Sequence, residues 1–144
     1  MKTMGSRSAT ELLQLPVQLF GIGLGRPVDL LLDPAAWRVL GFVVHCGDEI
    51  LRFLPSTAAD LHEDEIAVSS ALLLLEDVDF YRSRARSMRA LVGAPVTSMG
   101  YEVGELRDVL VAAAGTVDAL FVAQDAQIRR IDPAGARIGY VAAA

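Results

Sequence analysis

Part of this sequence is written twice. The stretch Leu12-Leu13-Gln14-Leu15-Pro16-Val17-Gln18-Leu19-Phe20-Gly21 returns 79 positions later as Leu91-Val92-Gly93-Ala94-Pro95-Val96-Thr97-Ser98-Met99-Gly100. Beyond it Gly25 matches Gly104, Asp29 matches Asp108, Leu31 matches Leu110 and Ala35 matches Ala114, while Leu24/Val103, Leu30/Val109 and Leu32/Val111 keep apolar character. A one-residue slip then sets Val39-Leu40-Gly41-Phe42-Val43-Val44 against Val117-Asp118-Ala119-Leu120-Phe121-Val122. A period this long exceeds solenoid and propeller units, so it reads as duplication of a small domain. Duplication predicts one strand order for residues 12–54 and 91–131, with an approximate two-fold axis between them.

Each copy holds about 60 to 70 residues, near the lower limit for an independent hydrophobic core, so the copies are expected to lean on each other. Of the 144 residues 53% are hydrophobic and mean hydropathy is +0.40, a surplus that calls for burial between the copies or against a partner. No apolar run, Ala71–Leu75 included, approaches the roughly 18 to 20 residues that span a bilayer. An integral membrane protein is not expected, and peripheral association with a membrane stays open. The formal charge of -5 and pI near 4.9 oppose non-specific attraction to nucleic acid or anionic lipid. A single cysteine, Cys46, excludes an internal disulfide and a cysteine-rich metal knuckle. Met1–Ser8 is basic but runs into Glu11 rather than a signal-peptide core, so a cytoplasmic location is expected and residues 1–9 read as a mobile leader.

Gly, Pro and Asp punctuate the chain roughly every eight to twelve residues, the rhythm of short strands. In the first copy strands are expected at Pro27–Asp33, Val39–Cys46, Glu49–Leu54 and Ile66–Val68, with a polar loop over Ser56–Glu65. In the second they are expected at Val92–Met99, Leu106–Ala112, Thr116–Ala123, Gln127–Ile131 and Ile138–Val141. Between the copies, Asp77 and Asp79 can cap a short helix with Phe80, Tyr81, Ala85, Met88 and Leu91 along one face. An open sheet that is apolar on both faces aggregates at its edges, so closure into small antiparallel barrels is expected. Gly25 and Gly104 are placed for the bulge or tight bend that closure needs. Asp29 and Asp108, recurring amid apolar neighbours, read as acceptors of backbone N–H groups at that bend. The expected fold is all-β, with a first barrel repeat over 10–76, a short helical linker over 77–88 and a second, shorter repeat over 89–144.

Leu12 ahead of Pro16-Val17, then Gly25 and Asp29-Leu30-Leu31-Leu32-Asp33, Val39–Val44 and Arg52-Phe53-Leu54-Pro55, form a pattern that resembles the PRC-barrel family. That family is named for the cytoplasmic domain of the photosynthetic reaction-centre H subunit and includes the C-terminal domain of a ribosome-maturation factor. The resemblance covers residues 10–70 well and 89 to about 131 less completely. It implies tandem PRC-like barrels that dock against partner proteins. In the second copy Ala112-Ala113-Ala114 replaces the Asp33-Pro34 turn, and no equivalent of Arg52-Phe53-Leu54-Pro55 is clear, so its last strands depart from the pattern.

Candidate chemistry is sparse. His62-Glu63-Asp64-Glu65 gathers an imidazole and three carboxylates, but neighbours on an extended chain point to opposite sides, so a solvated turn is the reading. The same geometry separates His45-Cys46 from Asp48-Glu49 and leaves Cys46 as a small residue ending a buried strand, not a nucleophile. On a helix Arg82, Arg86 and Arg89 share a face whose spacing can grip phosphates of RNA or lipid. The acidic balance favours instead a solvated face paired with Glu76, Asp77 and Asp79. Gly21–Gly25 is glycine-rich but precedes a strand, whereas a dinucleotide fingerprint follows one and opens a helix. No Walker loop, zinc spacing or nucleophile elbow occurs, so no catalytic residue, metal ligand or cofactor is assigned.

The sequence therefore reads as a non-catalytic protein-interaction or assembly module. An RNA- or ribosome-associated accessory factor and an enzyme of unrecognised type are the alternatives. A homo-oligomer or a complex with another protein is expected, using Leu72, Leu73, Leu74 and Leu75 and the last strands of the second copy as an exposed patch.

Overall fold

The computed structural model describes residues 5–139, so Met1–Met4 of the expected leader and Tyr140-Val141 of the expected last strand lie outside the described residues. The protein is all-β with a few short helices. The first elements are β1 (Arg7–Ser8), α1 (Ala9–Leu12), β2 (Val17–Leu19), β3 (Ile22–Asp33), β4 (Arg38–Cys46), β5 (Leu51–Pro55), β6 (Asp60–Leu61) and β7 (Ile66–Val68). After them come α2 (Val78–Arg82), β8 (Arg86–Ser87), α3 (Met88–Leu91), β9 (Pro95–Ser98), β10 (Tyr101–Val111), β11 (Val117–Gln124), β12 (Gln127–Ile131) and β13 (Ala136–Ile138). Leu30-Leu31-Leu32 and Phe42-Val43-Val44 are buried on both faces, which explains the continuous apolar runs of β3 and β4.

Two sheets result. One follows the order β5-β4-β3-β2-β7-β6 with β8 on β3, the other β12-β11-β10-β9-β13 with β1 on β10. The run β5-β4-β3-β2 thus has its counterpart in β12-β11-β10-β9, and the ladders agree residue by residue: Asp29 faces Val43 as Asp108 faces Phe121. Among the described residues no ladder joins β5 to β6 or β12 to β13, so the two closed antiparallel barrels are not formed by backbone pairing. The β2–β7 ladder is parallel, because the chain returns to β2 from the far side of the sheet through Ser56–Leu61. Closure is not needed to hide the inner faces, since Val17, Phe42 and Leu54 share one core with Val96, Leu106 and Leu120.

The ends of the two halves are exchanged. Arg7 and Ser8 pair with Val111 and Leu110 of β10, while Arg86 and Ser87 pair with Leu32 and Leu31 of β3. Each short strand opens a one-turn helix whose N-cap serine accepts from the third residue on, Glu11 N to Ser8 Oγ at 3.1 Å and Ala90 N to Ser87 Oγ at 3.3 Å. At the meeting of the sheets Val39 N donates to Gly115 O at 2.7 Å, and Val117 N to Trp37 O at 2.9 Å. These contacts correct two expectations. Residues 5–9 are not a mobile leader, because β1 is paired and Ala9 and Leu12 are buried. Residues 77–88 are not a continuous helical linker, because Ser83 ends α2 and Arg86-Ser87 joins the first sheet.

Candidate functional site

Two hairpin tips stand out. β2 and β3 are joined by Phe20-Gly21, β9 and β10 by Met99-Gly100. Both residues of each turn are left-handed, with φ of 48° and 81° in the first and 53° and 86° in the second. This turn suits the twist of a hairpin and prefers Asn-Gly or Asp-Gly, since a bulky residue in left-handed space costs about 1 to 2 kcal/mol. Here the leading residue is large, apolar and in water, with Phe20 85% and Met99 77% exposed. Ile22 and Tyr101, two positions on, are exposed as well. Each tip combines an unfavourable backbone with an unburied apolar pair, which stability alone does not select.

Gly25 and Gly104 set the base of these hairpins. A Cβ at Gly25 would lie 2.4 Å from His45 O, and one at Gly104 2.4 Å from Ala123 O, so each glycine lets its strand press on the neighbour. The β2–β3 and β9–β10 ladders slip register beside them. Asp29 and Asp108 follow. Asp29 Oδ1 accepts from Leu30 N at 2.8 Å and Arg89 N at 3.3 Å, and its other oxygen accepts from the Ser87 hydroxyl. Asp108 Oδ1 accepts from Val109 N at 2.9 Å and Thr10 N at 3.3 Å. Both carboxylates therefore hold the first turn of the helix that arrives from the other half, α3 on Asp29 and α1 on Asp108.

The outer faces of the sheets differ. On the first, Leu31, Val43, Phe53 and Val78 form a second small core, with Leu75 and Tyr81 packed against it. Tyr81 stacks on Phe53 with ring centroids 4.1 Å apart, and Leu75 extends the sheet past β5 through Phe53 N to Leu75 O at 2.7 Å and Leu75 N to Phe53 O at 2.8 Å. On the second sheet the positions of Leu31, Val43 and Phe53 belong to Leu110, Phe121 and Arg130, since Val43 pairs with Phe53 as Phe121 pairs with Arg130. Leu110 and Phe121 stay half-buried, and β12 is exposed from Gln127 to Arg130.

The remaining sequence candidates separate. Arg82 ends α2 and lies 3.7 Å from Asp79, Arg86 sits in β8, and Arg89 sits in α3 with its Nε donating to Val28 O. They do not share a helix face, because Ser87 starts a new helix between them. The Leu72–Leu75 run is not a continuous patch either. Ser70 caps a 3-10 turn over Ala71–Leu73, which leaves Leu72 exposed, packs Leu73 against the main core, buries Leu74 and sets Leu75 on the first sheet. His45 is exposed while Cys46 is buried, with Cys46 Sγ 3.8 Å from Val44 O. His62 is buried beside Asp60, Nε2 to Oδ2 3.1 Å, and its backbone N donates to Glu65 O at 2.9 Å. Among the described residues no group of three or more His, Cys, Asp and Glu is placed to hold a metal ion, and no helix is long and apolar enough to cross a membrane.

Two clefts lie beside these elements. The larger, of about 870 Å³, lies where the halves meet and is lined by Trp37, Arg86, Asp118, Asp132 and Arg137. Trp37 Nε1 donates to Ala136 O at 2.9 Å across it. Charges of both signs line its rim, and Asp118 accepts from the Ser6 hydroxyl. The other, of about 730 Å³, includes Cys46, Leu72, Asp48 and Arg52. Arg52 grips Asp48 with two nitrogens at 2.9 and 2.8 Å; this pair, helped by Ile50 N, lowers the Asp48 carboxyl to about 2 and raises Arg52 above its ordinary value.

Sequence reasoning missed Phe20, Ile22, Met99 and Tyr101. The signal was present: an apolar residue followed by glycine recurs at the 79-residue spacing, where a hairpin turn ordinarily carries a short polar residue. No protein-family model matches the chain, and a search of curated proteins finds none that matches it.

Proposed function

We propose that this chain is a non-catalytic interaction module, built on a duplicated PRC-barrel-like unit, whose two hairpin tips are its contacts with a partner. The observation that carries this reading is the strained, exposed apolar pair at both tips, Phe20 with Ile22 and Met99 with Tyr101. A large side chain kept in left-handed backbone and in water, twice, is explained by burial in an assembly. Support for duplication comes from the exchanged arms, where Arg7-Ser8 and Arg86-Ser87, and Asp29 and Asp108, hold matching contacts at the spacing of the sequence repeat. The PRC-like reading draws on the residue pattern and on the pairing order common to β2–β5 and β9–β12. The partner proposed first is a second copy of the chain, because two equal tips suit a closed symmetric contact.

Replacing the tips with the turn's preferred residue tests this. In a Phe20→Asn, Met99→Asn variant the hairpins gain favourable turns, so the melting temperature, compared at a dilution where both chains are monomeric, stays level or rises. Light scattering on a sizing column at tens of micromolar is expected to find the unaltered chain assembled and the variant monomeric. An assembly that persists in the variant, or a variant that melts lower, contradicts the role given to the tips.

A further inference from the structure

We infer that the outer face and free edge of the second sheet bind an acidic segment of a partner protein that bridges the edge at one apolar residue and lays a short helical turn on the sheet. The first sheet displays what such an edge takes. There a single bridge at Leu75 extends β5, and Leu75 with Val78 and Tyr81 of α2 packs on Leu31, Val43 and Phe53 while Glu76, Asp77 and Asp79 stay at the surface. At the corresponding place on the second sheet β12 ends the path with its outer edge unpaired among the described residues. Leu110 and Phe121 offer the same apolar footing, half-buried.

The charge has changed. Arg130 stands where the first sheet has Phe53, and Arg107 where it has Val28. β12 carries no acid in a chain of net charge -5, and its other arginine, Arg129, keeps the cation of Arg52 on the opposite side of the strand from Arg130. Among the described residues Arg129 and Arg130 enter no ion pair, and Arg107 meets only Glu105, at 3.7 Å. A strand edge supplies main-chain donors and acceptors, Phe121 a place for one apolar side chain, and Arg130 with Arg107 selects carboxylates. A second copy of β12 suits this edge less well: antiparallel self-pairing centred on Arg129 or Arg130 sets that arginine against its own copy, and like charges directly opposite are destabilising. This surface is separate from the hairpin tips and does not depend on their role.

The test uses the full ¹⁵N-labelled chain and an acetylated, amidated peptide with the sequence of residues 74–81, Leu-Leu-Glu-Asp-Val-Asp-Phe-Tyr. Saturable amide shifts at Phe121 and along Gln127–Ile131 are expected, weakening as salt is raised. An Arg130→Glu variant, exposed enough to fold normally, is expected to lose at least tenfold in affinity for this peptide and to bind a version carrying lysine at the three acidic positions. The Phe20→Asn, Met99→Asn chain is expected to bind the original peptide unchanged. Four results overturn the inference. They are no shifts at millimolar peptide, shifts confined to the Phe53 side, equal affinity of the Arg130→Glu variant, and stronger perturbation of β12 by an oligouridine than by the peptide. The first of these leaves the arginines as guards that keep an exposed edge from aggregating.

Discussion

The carboxylate of Asp29 accepts from its own neighbour, Leu30 N, and from Arg89 N and the Ser87 hydroxyl, which lie on the arm arriving from the other half. Asp108 does the same for its own neighbour, Val109 N, and for Thr10 N. Asp29→Ala and Asp108→Ala are each expected to lower stability by about 1 to 3 kcal/mol, the cost of orphaning a buried donor. Asp29 is expected to cost more, since it is 8% exposed and serves the additional serine. Urea midpoints of the two variants check both the size and the order; unchanged midpoints would deny the aspartates their role. The importance of this pair was legible in the sequence, because an acid recurring among leucines and valines needs donors. The donors were not legible: Arg89 lies 60 residues from Asp29, and Thr10 lies 98 from Asp108.

At the level of elements, the short arms do what longer strands do elsewhere. β1 and β8 are two residues each, yet the helices they open bury Leu12 and Leu91 completely in the common core. Leu12→Ala and Leu91→Ala are each expected to destabilise by about 2 to 5 kcal/mol, the range for emptying a buried leucine site. Thermal melts that barely move for Leu12→Ala would return residues 5–9 to the status of a leader. Arg-Ser has no strand propensity, so only its recurrence at the repeat spacing could have marked these arms. Met88 and Leu91 do sit at helical spacing, but they belong to α3, which Ser87 caps afresh, and the sequence read them as one helix with Tyr81. The counterpart of Arg52-Phe53-Leu54-Pro55 was hidden for a different reason. Ladder register places it at Arg129-Arg130-Ile131-Asp132, where the aromatic has become a cation and the apolar signature is gone.

Across the whole molecule, the long strands and their all-β character followed from apolar runs bounded by glycine and proline, while barrel closure did not follow from them. Closure was expected because each copy was considered alone, with two faces to hide. The inner faces instead meet in one core, and Asp29, Asp108, Ser87 and the Val39–Gly115 and Val117–Trp37 hydrogen bonds fasten one half to the other. A chain held this way unfolds as a unit, since neither half keeps its core when the other opens. Hydrogen exchange on the intact protein measures this directly. The most protected amides of β4, around Phe42 and Val44, and of β11, around Leu120 and Val122, are expected to exchange with one common opening free energy equal to that of global unfolding. If β11 and its neighbours open at a clearly lower free energy while β4 remains protected, the halves are independent domains and the exchanged arms do not bind them into one.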